Sequence, residues 1–277
     1  MSLQATPQTP GARAGFQAVL DSPADALIAL DFDGTLSPIV ADPEAAYAET
    51  GATDALSRLA AHVGTVAILT GRPVAVVRRL ARLDDVPGLG ALEVLGQYGV
   101  ERWDAATRQV VAPEAPTAVA RAKAGLSELL ASLGIDDAHI EDKGLAIGVH
   151  VRRAVDPAGT FARLREPLAA FAHEHELHLE PGKLVLELRA PGTDKGGALL
   201  GLVDERGARA VVYAGDDLGD LAAYDAVEAL RTQGTPGLLV CSLGAERTEL
   251  ADRADLVVDG PAGLVAWLSE LADLLDA

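Results

Sequence analysis

Residues 26–35 read Ala26-Leu27-Ile28-Ala29-Leu30-Asp31-Phe32-Asp33-Gly34-Thr35. A short unbroken apolar run followed by polar residues suits a strand buried on both faces, as in a parallel sheet. Two carboxylates leave its carboxyl end, which is where open α/β sheets place their ligands. Residues two apart on a strand share a face, so Asp31 and Asp33 repel each other unless a cation offsets them, and a hard, oxygen-liganded ion is the natural partner. Gly34 then lets the chain turn sharply. An isolated Asp-Gly pair is often no more than a turn. The full Asp-x-Asp-Gly-Thr pattern behind an apolar strand favours the ligand-binding reading.

Outward from this strand, further apolar runs at 65–69, 92–96, 208–215 and 237–242 alternate with helix-like periodicity near 53–62, 73–82, 195–206, 217–230 and 261–275. Such alternation predicts an α/β fold with a doubly wound parallel sheet. The middle of the chain reads differently. A hairpin-like pair spans 100–111, a helix 117–133, alternating strands 139–152, a second helix 157–175 and further strands 177–189, which together suggest an inserted, smaller α+β domain. The expected division is a core of residues 16–103 and 191–277 and an insertion of residues 104–190. Its hinges are placed at 103–108 and at Ala190-Pro191-Gly192-Thr193, where Pro and Gly punctuate the pattern. The Pro, Gly, Gln and Thr content of residues 1–15 predicts a disordered tail.

The chain has 277 residues, enough for two compact units. Its composition is 49% hydrophobic but only 4% aromatic, so the core is expected to be aliphatic. The formal net charge of −18 repels nucleic acid and anionic lipid, and neither is an expected partner. The same field repels a phosphorylated substrate, so a phosphate site here needs local positive charge. The single Cys241 lies in an apolar run and reads as a small core residue. No basic stretch with an apolar block opens the chain, and no segment approaches the ~20 apolar residues of a membrane span, so a soluble cytoplasmic protein is expected. Oligomeric state is not readable, and a monomer is the default expectation.

Three further stretches carry chemistry. Tyr213-Ala214-Gly215-Asp216-Asp217-Leu218-Gly219-Asp220 again sets acids at a strand end, entering a helix. These acids invite a cation, although Asp217 or Asp220 could instead cap the helix. Thr70-Gly71-Arg72-Pro73 ends the second core strand and offers a hydroxyl and backbone amides to a phosphate oxygen. Lys195, in Thr193-Asp194-Lys195-Gly196-Gly197, could neutralise a transferring phosphoryl group.

These four motifs, in this order along an alternating β/α chain, resemble the haloacid dehalogenase (HAD) superfamily of phosphotransferases. The resemblance implies a HAD-like core with an inserted cap that selects the leaving group. It makes Asp31 the nucleophile and Asp33 the general acid and base, with Thr70, Gly71 and Lys195 holding the phosphate. Asp31, Asp33, Asp216 and Asp217 then form a Mg²⁺ site, with Asp220 as the alternative to Asp217. Within the superfamily, the chain is most similar to trehalose-phosphate phosphatases. That likeness is carried by residues 30–39, by Gly96-Gln97-Tyr98-Gly99-Val100-Glu101 and by the run from 181 to 189, Pro181-Gly182-Lys183-Leu184-Val185-Leu186-Glu187-Leu188-Arg189. It implies that Lys183 and Glu187, with Glu141 and Lys143, hydrogen-bond a sugar phosphate. Lys183 and Glu187 could instead form an exposed cross-strand ion pair, and His150 and Arg152 could reach the cleft or equally be solvated. Many relatives have Asn-His-Gly where this chain has Gln97-Tyr98-Gly99. Sucrose 6-phosphate and mannosyl-3-phosphoglycerate remain alternative substrates, and a non-catalytic sugar-phosphate sensor is the alternative of a different class. No synthase-like half accompanies these motifs, so a standalone phosphatase domain is expected.

Overall fold

The computed structural model of the chain describes residues 7, 9–114, 116–182, 184–190, 194–244 and 249–277. In chain order the elements are α1 (Pro10–Asp21), β1 (Ala26–Leu30), α2 (Ala52–Ala60), β2 (Thr65–Leu69), α3 (Val74–Leu80), β3 (Leu92–Gly96), β4 (Glu101–Asp104) and β5 (Val110–Val111). Next come α4 (Thr117–Ser132), β6 (His139–Asp142), β7 (Ala146–His150), α5 (Pro157–Glu174), β8 (His178–Gly182) and β9 (Val185–Arg189). The chain ends with α6 (Lys195–Arg206), β10 (Ala210–Gly215), α7 (Leu221–Thr232), β11 (Gly237–Leu243), α8 (Glu249–Arg253), β12 (Leu256–Asp259) and α9 (Gly260–Leu275). Two compact units result, one of residues 1–112 and 194–277 and the other of residues 113–193.

The larger unit holds a sheet in the order β12-β11-β10-β1-β2-β3-β4-β5. It is parallel from β12 to β3, and β4 and β5 add an antiparallel edge. Alternate residues of β1 serve two apolar layers. Ala26, Ile28 and Leu30 pack with α1, α2, α3 and α9, while Leu27 and Ala29 pack with α6, α7 and α8. Burial on both faces is why the strand sequences are continuous rather than alternating. From β1 the chain winds outward through β2 and β3 in one direction and, later, from β10 through β11 and β12 in the other. The topological switch point therefore falls between β1 and β10, and the residues that follow them meet at the carboxyl edge of the sheet.

The smaller unit is an antiparallel sheet, β6-β7-β9-β8, with α4 and α5 against one face. Ile147, Val149, Leu186 and Leu188 point into its core with Leu126, Leu164 and Leu168. The opposite parity, including Glu141, Gly148, Glu187 and Glu180 in one cross-strand row, makes up the other face.

The structure departs from the sequence reading in two places. Residues 10–15 are not a disordered tail but the first half of α1, because Thr9 caps the helix by accepting from Ala12 N–H at 3.1 Å and Pro10 sits at its first position, where a missing N–H costs nothing. Ala12, Gly15 and Val19 bury the inner face of that helix. The hairpin of β4 and β5 belongs to the large sheet and not to the insertion. Trp103 is 2% exposed within the large core, and β4 pairs with β3 from Gly96↔Glu101 to Glu93↔Asp104. The units accordingly divide at 112/113 and 193/194 rather than at 103/104 and 190/191. Of the second expected hinge, Pro191, Gly192 and Thr193 lie outside the described residues.

A Cβ at Gly15 would meet the Gly237 carbonyl oxygen at 2.0 Å, whereas nothing lies within 4 Å of one at Gly11. Gly15→Ala is therefore expected to lower the midpoint of urea unfolding by the equivalent of ~1–3 kcal/mol, and Gly11→Ala to leave it unchanged or raise it slightly.

Candidate active site

Asp31 follows the last residue of β1 and its N–H donates to the Ala214 carbonyl at 2.8 Å, so the β1–β10 ladder itself places its side chain at the switch point. The side chain is buried, as are those of Lys195 and Asp220. Lys195 Nζ donates to Asp31 Oδ1 and to Asp220 Oδ1, each at 2.6 Å. Asp220 is held from every side, since Tyr213 Oη donates to Oδ1 at 2.6 Å and the Asp216 N–H to Oδ2 at 3.0 Å. Asp194 caps α6 by accepting from Gly197 N–H at 2.7 Å, which fixes Lys195 as the first helical residue. Gly196 lets α6 approach α7, because a Cβ there would meet the Ala222 carbonyl oxygen at 2.3 Å.

Asp31, Asp216 and Asp220 each present an oxygen within 4.8 Å of the others. Gly34 closes in from the other side with φ +81°, and a Cβ on it would meet Asp216 Oδ2 at 1.9 Å. Ser242 Oγ donates to the Gly34 carbonyl at 2.7 Å and pins that turn. With all three acids and Lys195 ionised, the cluster carries −3 + 1 = −2, an arrangement that needs a cation. Burial, then the Asp31 charge, pushes the Asp216 carboxyl up to about 9. Burial also holds Asp31 well above the usual carboxylate range although Lys195 pulls it down, and burial followed by Asp220 raises Asp217. Burial works against the Lys195 charge, but Asp220 and Asp31 together hold its ammonium well above the ordinary lysine value. An all-oxygen donor set of two buried carboxylates, Asp31 and Asp220, with the half-buried Asp216 fits a hard divalent ion such as Mg²⁺.

The remaining expected residues fall into place around this cluster. Asp33 is held by Arg72 through two parallel bonds, Nε to Oδ2 and Nη2 to Oδ1, both at 2.6 Å, and its side chain is 31% exposed. Arg72 is in turn tied to the Pro43 carbonyl at 3.0 Å. Thr70 is buried at the end of β2, and its Oγ1 accepts from the Arg72 N–H at 3.1 Å. Asp217 accepts from Gly219 N–H at 2.8 Å and caps the turn before α7. The structure thus groups Asp220, not Asp33 or Asp217, with Asp31 and Asp216. Sequence reasoning left Asp217 and Asp220 undecided and missed the Tyr213 hydroxyl and the Arg72–Asp33 pair. A polar Tyr213 in an otherwise apolar strand is the signal that was there to read.

In the smaller unit Lys143 pairs with Glu187, and their side chains are 13% and 6% exposed. The Lys183–Glu187 pair considered from the sequence rests on Lys183, which lies outside the described residues. His150 Nε2 and Glu141 Oε2 are hydrogen-bonded at 2.6 Å, Arg189 donates to Glu180 at 2.6 Å, and Arg152 is exposed.

A doubly wound sheet with paired acids at the switch point, a lysine opening a later helix and an α+β insertion defines a haloacid dehalogenase-like protein. The family model for trehalose-phosphatase matches residues 29–258, and the chain belongs to that family. It is 35% identical to a trehalose-phosphate phosphatase of Mycobacterium avium over 89% of this chain and 62% of that protein, and 32% identical to one of Mycobacterium tuberculosis over 90% and 63%. The chain therefore spans about three-fifths of the length of the curated relatives it matches. Among solved structures, the C-terminal domain of trehalose-6-phosphate phosphatase from C. albicans shares the fold, with a TM-score of 0.76 and 21% identity over 98% of this chain and 99% of that one. A trehalose-6-phosphate phosphatase related protein aligns with a TM-score of 0.68 and 25% identity over 90% and 97%. No helix among the described residues is long and apolar enough to cross a membrane.

In metal-free protein the raised Asp216 carboxyl binds a proton in the folded state that the unfolded chain, with an Asp pKa of ~3.9, has released. That contribution to stability is full below pH ~3.9 and is lost as pH rises through about 9, so apo stability is expected to fall across this window. Added Mg²⁺ should raise the melting temperature most at the alkaline end. A Mg²⁺-induced shift of the same size in Asp216→Asn would remove Asp216 from the metal site.

Proposed function

We propose that the chain hydrolyses trehalose 6-phosphate to trehalose and phosphate through an aspartyl-phosphate intermediate on Asp31. The observation that carries this reading is the buried Asp31–Lys195–Asp220 cluster with Asp216 at the β1–β10 switch point, in a chain of the trehalose-phosphatase family. Asp31, Asp216 and Asp220 would hold Mg²⁺, which supplies charge stabilisation for the transferring phosphoryl group. A carboxylate oxygen of Asp31 attacks phosphorus and the bond from phosphorus to the sugar oxygen breaks. Asp33 donates a proton to that departing oxygen. It then takes a proton from the water that attacks the acyl phosphate, which returns Asp31 as a carboxylate and releases phosphate. Asp33 must leave its two bonds to Arg72 to do this, and the partly exposed position of the pair leaves room for that exchange. Lys195 and Thr70 hold the phosphate oxygens, with the Gly71 backbone amide as a further donor. Lys195 brings the local positive charge that a chain of net charge −18 otherwise denies an anionic substrate.

We assign the sugar to the polar sheet face of the smaller unit, where Glu141, Lys143 and Glu187 offer charged donors and acceptors suited to hydroxyl groups. The reading includes a small-molecule substrate as the partner and the cytoplasmic setting expected from the sequence.

Phosphate release with Mg²⁺ should be strongest on trehalose 6-phosphate in a panel with sucrose 6-phosphate, mannosyl-3-phosphoglycerate, glucose 6-phosphate and an aryl phosphate. Preference for another sugar ester would keep the chemistry and overturn the substrate, and no turnover of any ester would favour a sensor. Asp31→Asn is expected to cut kcat by ~10⁴-fold or more with an unchanged circular dichroism spectrum. Retained turnover in that variant would sink the covalent mechanism. Glu187→Gln should raise KM for the disaccharide phosphate and spare the aryl phosphate, and an equal loss on both would refute its part in sugar recognition.

A further inference from the structure

Residues 97–101, which no role above uses, are built around an unusual backbone. Gln97 and Tyr98 both have positive φ, 48° and 60°, a region that residues bearing a Cβ enter only when their surroundings hold them there. Gln97 N–H donates to the Arg72 carbonyl at 3.0 Å and Tyr98 N–H to the Thr70 carbonyl at 2.9 Å, so the strained pair is bonded to both ends of the Thr70-Gly71-Arg72 turn. The Tyr98 side chain then lies across the middle of that turn. A Cβ on Gly71 would meet Tyr98 Oη at 2.8 Å and Cζ at 2.9 Å. Glu101 locks the arrangement from behind, with Oε1 accepting from Gln97 Nε2 and Oε2 from the Val74 N–H, each at 2.8 Å. On the far side, Gly99 (φ +93°) abuts α6, and a Cβ there would meet Ala198 Cβ at 2.6 Å, three residues beyond Lys195. One short segment thus touches the turn that bears Thr70 and the helix that bears Lys195.

We propose that Tyr98 is a positioning residue for the phosphoryl group: its ring, held in place by the left-handed backbone and by Glu101, sets the Thr70-Gly71 turn relative to Lys195. This rests on the reading that Thr70, Gly71 and Lys195 hold phosphate. Because the brace acts on the phosphate end, its loss weakens every phosphate ester alike, whereas loss of a sugar contact alters the preference among them.

The test uses the full chain with Mg²⁺ and compares Tyr98→Gly, which keeps the left-handed backbone without strain and removes the ring, with Tyr98→Phe, which keeps the ring. Tyr98→Gly is expected to raise KM for trehalose 6-phosphate and for an aryl phosphate by the same factor, about tenfold, and to weaken orthophosphate binding in calorimetry equally. Tyr98→Phe should stay close to wild type. Gly71→Ala should be damaging alone yet add little to Tyr98→Gly, because the clashing ring is gone. Unchanged orthophosphate affinity in Tyr98→Gly, or a KM change confined to the sugar ester, overturns the proposal. If wild-type protein binds orthophosphate but turns over no ester, the proposed function falls while the affinity of Tyr98→Gly still decides the brace. If wild-type protein binds no orthophosphate, both fall.

Discussion

Lys195 sets one ammonium between two buried carboxylates, and the surrounding structure is arranged to make that tolerable. Charges removed from water cost several kcal/mol each unless paired and hydrogen-bonded. Asp31 and Asp220 pair with Lys195, and Tyr213 and the Asp216 amide complete the hydrogen bonding of Asp220. Each partner is delivered by a different element: Asp31 by the end of β1, Tyr213 by β10, Lys195 by the capped start of α6, and Asp220 by the turn into α7. Their convergence depends on the switch point, where two parallel strands that are neighbours in space lead to chain segments far apart in sequence.

The same convergence explains the glycines. Gly34, Gly196 and Gly215 stand where a Cβ would strike Asp216, the Ala222 backbone or Asp220. Backbone is drawn in close, and carboxylate oxygens of Asp31, Asp216 and Asp220 come within 4.8 Å of one another. Gly71 is spared a side chain for a different reason, since the Tyr98 ring occupies that space. The electrostatics suit a site that a cation would complete. Asp31 and Asp216 resist ionisation, with burial the largest cause for each, and a divalent ion bound there would relieve their mutual repulsion.

The smaller unit solves a separate problem. Its sheet buries one parity of side chains under α4 and α5 and keeps charged groups on the other, where Lys143–Glu187, His150–Glu141 and Arg189–Glu180 form a set of bonds across strands. Pairing leaves these side chains fewer ways to move than an unpaired surface lysine has, which is what the proposed sugar contacts require.

Local pattern alone determined much here. The buried strand before Asp31, the α/β alternation, the inserted α+β unit and the acids at strand ends were all legible because they depend on periodicity and on residue order. α1 was hidden because its capping Thr9 and Pro10 are also the residues of a disordered segment, and only the packing of Ala12, Gly15 and Val19 against the core distinguishes the two. The hairpin after β3 was assigned to the wrong unit because pairing partners are not written in a strand's own sequence. Tertiary structure alone decided that Asp220 joins Asp31 and Asp216 while Asp217 caps a turn, that Arg72 holds Asp33, and that Tyr98 lies on Gly71. Apart from the local Asp217 cap, these contacts bring together residues that follow different strands and are set by how neighbouring strands pack, whereas sequence spacing specifies only which residues leave which strand.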